Sequence, residues 1–348
     1  MIKKIINLTI YIFSGAFSLT INVPEDFLDI QDAIDFSQDG DTIFVSPGVY
    51  FENINFNGKS ILVSSNYIED NDSLLIGVTI IDAGNEGSVV TFNSGENNNA
   101  ILQGFTLQNG NGNDEDPDNN GSFYTYGGGI YCENSDPLIK DCIIQSNTAN
   151  EGGGAGIFCY DSSPIFFGCT IKENETDDVG GGLYARDGSS PSFFDCIFMD
   201  NTAEFGGGCY LKSSSSPLME NVVFMQNNAN NSGGGIGLKD DANIEASNLT
   251  ISENLAEGLG GGLYINNADP TFSFALIVDN TASSGAGIYI RNNSEIDLTN
   301  ITLANNNAGL YGGGVYMRDN VTVNFTNSVL WNNGSNQIYF RSEGAEVE

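Results

Sequence analysis

An all-β parallel β-helix, a solenoid of stacked coils led by a short capping helix, is the fold the sequence predicts. Three observations carry it. A unit of 25–27 residues recurs eight times, the apolar pattern inside each unit has period two, and glycine is abundant at 43 of 348 residues.

The repeat is visible in two independent registers. Glycine runs end at residues 129, 156, 182, 208, 235, 262, 287 and 314. A second file comprises Asn147, Asn174, Asn201, Asn227, Asn254, Asn280, Asn306 and Asn333. One residue past each glycine run stand Ile130, Ile157, Leu183, Cys209, Ile236, Leu263, Ile288 and Val315, and a second apolar residue follows two positions later. Both sets should point inward. A second strand, often opened by proline, carries Ile139, Phe166, Phe193, Met219 and Phe272. A third carries Ile144, Ile171, Phe198, Phe224, Ile251, Ile277, Leu303 and Leu330. Three short strands bury no core alone but bury a continuous one when stacked, each coil rising about 4.8 Å. The Asn file then has two expected roles: tolerating left-handed turns and bonding amide to amide between coils. The glycines should permit positive φ at tight bends. The unit is too short for a four-stranded propeller blade, and it lacks the consensus of leucine-rich repeats.

Upstream, Phe27, Ile30 and Ile34 are spaced as one face of a short helix over residues 27–37, which would shield the first strand edge. Strands and turns follow around residues 41–45, 47–50, 53–56 and 59–63. Residues 1–18 read as a secretory signal, with Lys3 and Lys4 before an apolar stretch and small residues at 14–16; an N-terminal strand is the alternative. The expected organisation is a cap and first coils over 19–108, an acidic inserted loop over 109–125, eight coils over 126–340, and a tail over 341–348. The tail reads like a strand cut short, as in a fragment.

Charge removes several functions. With 11 basic and 45 acidic residues the formal net charge is −34, and histidine is absent. No Ser–His–Asp triad, imidazole metal site or histidine base can be built. The charge opposes nucleic acid and anionic lipid as partners. No later stretch reaches the ~20 apolar residues of a membrane-spanning helix.

The stretch IQDAIDFSQDGDTIFVSPGVYFENINFNGKSILVSS resembles the N-terminal cap and first coils of right-handed parallel β-helix, pectin-lyase-like proteins. The GGGIY and Phe-x-x-Asn elements, as at Phe198 to Asn201 and Phe224 to Asn227, look like polymorphic outer membrane protein repeats. The resemblance covers about residues 20–340 and implies a secreted or cell-surface, outer-membrane-associated protein. It is weak for function, because this fold hosts lyases, hydrolases, epimerases and adhesins. The histidine motifs of β-helix galacturonases and epimerases cannot occur here, and the barrel of polymorphic outer membrane proteins is missing.

Equivalent positions of a solenoid stack into columns. Two past the glycine run are Tyr131, Phe158, Tyr184, Tyr210, Gly237, Tyr264, Tyr289 and Tyr316; four past it are Glu133, Tyr160, Arg186, Lys212, Lys239, Asn266, Arg291 and Arg318. Alternation turns both columns outward, about 6.6 Å apart along each strand. One reading is a track for acidic polysaccharide or cell-surface glycan, formed by Tyr184, Arg186, Tyr210, Lys212, Lys239, Tyr264, Tyr289, Arg291, Tyr316 and Arg318. Rings would stack on sugars and cations clamp carboxylate or sulfate. The other reading is structural: tyrosines shield the sheet, and Asp187, Asp240 and Asp319 cancel the cations they follow.

Cys142, Cys169 and Cys196 stack, as do Cys132 and Cys159; buried free thiols are expected, since stacked Cβ atoms stand wider than disulfides prefer. In NGNGNDEDPDNNG, Asp114, Asp116, Asp118 and Asn120 mimic half of a calcium loop, but its twelfth position is Gly127 rather than Glu. A solvated acidic loop is the alternative, and no other cofactor is expected. For catalysis, Arg186 and Asp187 near Asp177 and Asp178 form the best cluster. The reading is therefore a secreted or surface binding protein for glycan or adhesion, expected to act as a monomer. A polysaccharide lyase and a structural spacer are the alternatives.

Overall fold

The computed structural model describes residues 18–66, 73–116, 121–334, 336–341 and 346–347. The signal segment 1–17 lies outside them. The chain winds into a parallel β-helix whose strands form a 13-stranded and two 11-stranded sheets. In a typical coil, Leu183–Arg186 follows the glycine run, Ser192–Phe194 forms the second face and Ile197–Met199 the third. Coil pairs coil in the register the repeat arithmetic demands: Ile157 opposite Leu183, Phe166 opposite Phe193, Ile171 opposite Phe198. The expected inward residues of all three faces join one core; of the third file only Leu330 is partly exposed.

The helix spans Ile30–Phe36 and buries Ile30, Ala33 and Ile34 against the first coils. Glu52 caps it, its carboxylate accepting hydrogen bonds from the backbone N–H groups of Ile30 and Gln31, both at 2.9 Å. That meets two of the orphan donors of a helix start.

The Asn file is a buried ladder. Asn201 Oδ1 accepts from both the backbone N–H (3.2 Å) and Nδ2 (3.0 Å) of Asn174, one coil earlier. Asn201 Nδ2 donates to Ile171 O and to Asn227 Oδ1, both at 2.9 Å. The pattern recurs on each coil down to Asn333. The left-handed residue, however, is the one before each Asn: Ser146, Glu173, Asp200, Gln226, Glu253, Asp279, Asn305 and Asn332, with φ of 52–57°. The Asn is there for its amide alone.

The structure adds detail to the expected fold in four further places. A fourth ladder of short strands, from Thr148–Ala149 to Asn307–Tyr311, forms a seven-stranded sheet between the third face and the glycine run. The segment read as an acidic loop builds a hairpin: Asn113–Glu115 pairs antiparallel with Tyr124–Tyr126, which pairs onward with Glu151–Gly153. The tail adds a strand, Glu346–Val347, beside Thr322 and Val323. The column expected to face solvent does not reach it. Tyr131, Tyr184, Tyr210, Tyr264, Tyr289 and Tyr316 point away from the core, yet are only 1–6% exposed.

The cause of that burial is the segment just before each glycine run. There Val179, Phe205 and Leu259 lie along the outer side of the sheet and pack on the tyrosines. The glycine two places before the end of each run turns this segment back with φ of 63–74°, as Gly180 and Gly206 do at 68° and 66°. A Cβ on Gly180 would fall 2.3 Å from Leu183 O. The solenoid therefore has a second apolar layer outside the glycine-led sheet.

Candidate functional site: a cationic groove along the tyrosine layer

The tyrosine layer is walled on one side by the segments before the glycine runs and on the other by the cation column. Three cavities of about 560, 380 and 490 Å³ follow one another along it. They share lining residues, Asp178, Tyr184 and Lys212 between the first two and Arg291 between the last two, so they form one groove. Every residue the sequence assigned to a glycan track lines it. Tyr184, Arg186 and Lys212 line the N-terminal cavity; Tyr210, Lys239 and Tyr264 the central one; Tyr289, Arg291, Tyr316 and Arg318 the C-terminal one. The correction concerns the rings. They are packed into a floor, with Tyr289 and Tyr316 stacked at 4.7 Å and 12°, and offer the groove edges rather than free faces.

The cations differ in how far they are neutralised. The residue after each is a left-handed turn position: Asp187, Ser213, Asp240, Asn292 and Asp319 have φ of 56–62°. Asp and Asn tolerate that conformation. Where the turn residue is Asp, its carboxylate bends back onto the cation. Arg186 Nε pairs with Asp187, Arg318 Nε with Asp319 at 2.6 Å, and Lys239 more loosely with Asp240 at 3.8 Å. Ser213 and Asn292 offer no charge. Among the described residues, no carboxylate pairs with Lys212 or Arg291. Arg291 instead lies over the Tyr264 ring at 5.4 Å, a favourable cation–π placement.

Acids gather toward the N-terminal end, where Glu151, Asp177 and Asp178 line the same cavity as Arg186 and Lys212, and Asp178 reaches the central cavity as well. Of the cluster singled out for catalysis, Arg186, Asp177 and Asp178 meet there, while Asp187 pairs with Arg186 without lining the cavity. Asp177 is exposed and accepts from the backbone N–H of Glu151. Asp178 is half-buried, and burial, reinforced by Asp177, raises its carboxyl above the usual range while Lys212 opposes the rise. Burial likewise pushes the Tyr184 and Tyr210 phenols up, so both stay neutral.

Sequence reasoning missed Arg341 and the hairpin tyrosines. Phe340 pairs with Met317, which puts Arg341 one coil beyond Arg318, and its guanidinium donates to Tyr316 Oη at 3.4 Å. Tyr316 and Tyr339 in register were the available signal, hidden because the last coil lacks a glycine run. Tyr124 and Tyr126 line the N-terminal cavity from the hairpin.

Two of the four calcium candidates fall within the described residues. Asp114 stands within the hairpin strand Asn113–Glu115, and Asp116 accepts from the backbone N–H of Gly121 at 2.7 Å. Asp118 and Asn120 lie outside the described residues. Among the described residues no cluster of three or more Asp, Glu or Cys side chains is arranged to hold a metal ion. The six cysteines are buried with free thiols.

A comparison with curated proteins finds no match. Among solved structures, the chain is similar to the A-module of the mannuronan C-5 epimerase AlgE6 of Azotobacter vinelandii, at 14% identity over 91% of this chain and 93% of that one, with a TM-score of 0.48. It is also similar to a polygalacturonase from Erwinia carotovora ssp. carotovora (11% identity, 95% and 96% covered, TM-score 0.44) and to a pectin methylesterase from carrot (12%, 96% and 89%, 0.40). The family described as Right handed beta helix region matches residues 31–191, 110–237 and 181–348, overlapping segments that run together from 31 to 348. With parallel coils in continuous register along that whole span, the chain belongs to the right-handed β-helix family.

Proposed function

We propose that this protein binds acidic polysaccharide along the tyrosine-floored groove, as a secreted or cell-surface protein serving adhesion or glycan capture. One observation carries the reading. In a chain of net charge −34, six of the 11 basic residues, including all four arginines, line this groove. A protein with so few cations concentrates them where an anion is to be held, and the long-range field elsewhere repels polyanions from the remaining surface. The groove follows the solenoid axis across successive coils, so an extended polymer suits it better than a compact ligand. The similarity of the GGGIY and Phe-x-x-Asn units to polymorphic outer membrane protein repeats supports a surface location.

The test is an array of pectate, alginate, chondroitin sulfate and neutral glucans probed with wild type and a Tyr184, Arg186, Tyr210 and Lys212 quadruple alanine variant. Binding to acidic glycans alone, lost in the variant, is the expected result. Equal binding by the variant, or none by wild type, defeats the reading.

A second reading, a polysaccharide lyase, is favoured by Asp178, a carboxyl of raised proton affinity between Arg186 and Lys212. Incubation with pectate or alginate and a rise in ultraviolet absorbance from unsaturated uronate would establish it.

A further inference from the structure

The groove is interrupted at one rung. Gly237 stands where neighbouring coils carry Tyr210 and Tyr264. Its φ is not among the positive ones, so the backbone does not require glycine there. What it provides is space. The aromatic layer splits at this rung into two clusters, one ending at Tyr210 and the other starting at Tyr264. The Tyr210 ring leans into the vacated position, its Cδ2 2.7 Å from where a Cβ on Gly237 would stand. The central cavity of about 380 Å³ lies beside this rung, lined by Tyr210 and Tyr264 from the coils on either side, within the ~300–1,000 Å³ range of small-ligand sites.

Three cations line that cavity, Lys212, Lys239 and Arg291, with one carboxylate, Asp178, on the Lys212 side. Two of them, Lys212 and Arg291, are the ones whose following turn residues are the uncharged Ser213 and Asn292. Arg291 Nε is also buried and has no hydrogen-bond partner among the described residues. An unpaired buried donor on a guanidinium is costly unless something accepts from it. The missing aromatic, two cations in no ion pair among the described residues and the orphan donor all fall at the same place.

We propose that the Gly237 cavity is a discrete anion subsite that seats one carboxylate- or sulfate-bearing sugar residue. Arg291 and Lys212 anchor the anionic group, and Gly237 shapes the slot by letting the Tyr210 ring lean over its rung. This rests on the glycan-binding reading of the groove and adds that one sugar along the polymer is held by charge where the others lie against ring edges. Tyr264 on the far side offers its ring edge to the sugar, its face being taken by Arg291, and Asn266, buried beside it, supplies an amide for hydroxyl groups.

The experiment is titration calorimetry of the full chain with matched-length oligogalacturonate, sulfated chondroitin oligosaccharide and a neutral cello-oligosaccharide. Gly237→Tyr restores the residue type of the neighbouring rungs and forces the Tyr210 ring out of the place it occupies, closing the slot that this ring lines. Arg291→Gln keeps the size and removes the charge, so it tests the subsite should the tyrosine variant fail to fold, as circular dichroism will show. Each should weaken binding of whichever acidic oligosaccharide wild type prefers by about tenfold or more, the worth of a charge-assisted hydrogen bond. A preference for the carboxylated or the sulfated probe identifies the anionic group. If wild type binds acidic oligosaccharides and both variants bind as well as wild type, the subsite is wrong while the groove reading stands. If wild type binds none of the three, the groove reading itself falls and takes the subsite with it.

Discussion

Replacing Asn201 by alanine tests what holds the coils in register. The side chain is fully buried and takes part in four hydrogen bonds. Their loss is uneven. Asn174 Nδ2 keeps a second acceptor in Ile144 O, and Asn227 Oδ1 still receives the backbone N–H of residue 201. The backbone N–H of Asn174, whose acceptor is Asn201 Oδ1, is left bare inside the core. A buried unsatisfied donor costs about 1–3 kcal/mol, and each further bond lost about 0.5–1.5 kcal/mol. With two such bonds counted, Asn201→Ala should destabilise by about 2–6 kcal/mol. The control is Asn231→Ala, which removes an exposed amide bonded to Glu204 and Ser232 at a position with no left-handed backbone and should stay within about 0.5 kcal/mol. Urea unfolding followed by far-ultraviolet circular dichroism reads both variants, with slopes compared, because a repeat array can lose cooperativity when one coil weakens. Equal midpoints for the two variants would refute the claim that the buried ladder, rather than backbone pairing alone, fixes the stack.

Polyanion binding should strengthen as pH falls from neutral toward the ordinary carboxylate range, because Asp178, raised by burial with Asp177 and Glu204 adding to the effect and Lys212 opposing it, takes up a proton before an unperturbed carboxylate would and removes a repelling charge. Asp178→Asn should flatten the profile and bind more tightly at neutral pH; weaker binding on acidification would overturn the assignment. Gly208→Ala should yield no soluble folded protein, since its Cβ would meet Gly235 O at 2.6 Å and the Phe224 ring at 2.9 Å, whereas Gly309→Ala meets nothing within 4 Å and should be neutral. Expression and circular dichroism decide between these. The thiols should be inert in the native state, that of Cys142 being pushed up to about 12 by burial, and a chromogenic titration should find six only in denaturant. Fewer than six there would mean oxidised pairs.

The stacking was legible because it is one-dimensional. A file such as Ile144, Ile171 and Phe198 repeats at the coil period, and period-two alternation sorts its residues inward without knowledge of the rest of the molecule. The outer side of the glycine-led sheet obeys no such local rule. Alternation correctly aims Tyr184 and Tyr210 away from the core, but their burial depends on Val179 and Phe205, whose positions carry Ser232 and Ser284 in other coils. No conserved pattern announces that these residues fold over the sheet. The same limit explains the groove. The cation column was visible as spacing, while its enclosure and the cavity beside Gly237 depend on how the covering segments pack. Arg341 was lost for a simpler reason, the irregular final coil.

Because each coil contributes one floor residue and one wall residue at a constant pitch, the groove behaves as a string of interchangeable beads. Duplicating or deleting one whole unit would lengthen or shorten it by a single step and leave its neighbours' registers intact. A shift of one residue within a strand would instead turn that coil inside out. Such a molecule can be re-graded for a longer chain or a different charge pattern by swapping complete rungs, without redesigning its interior.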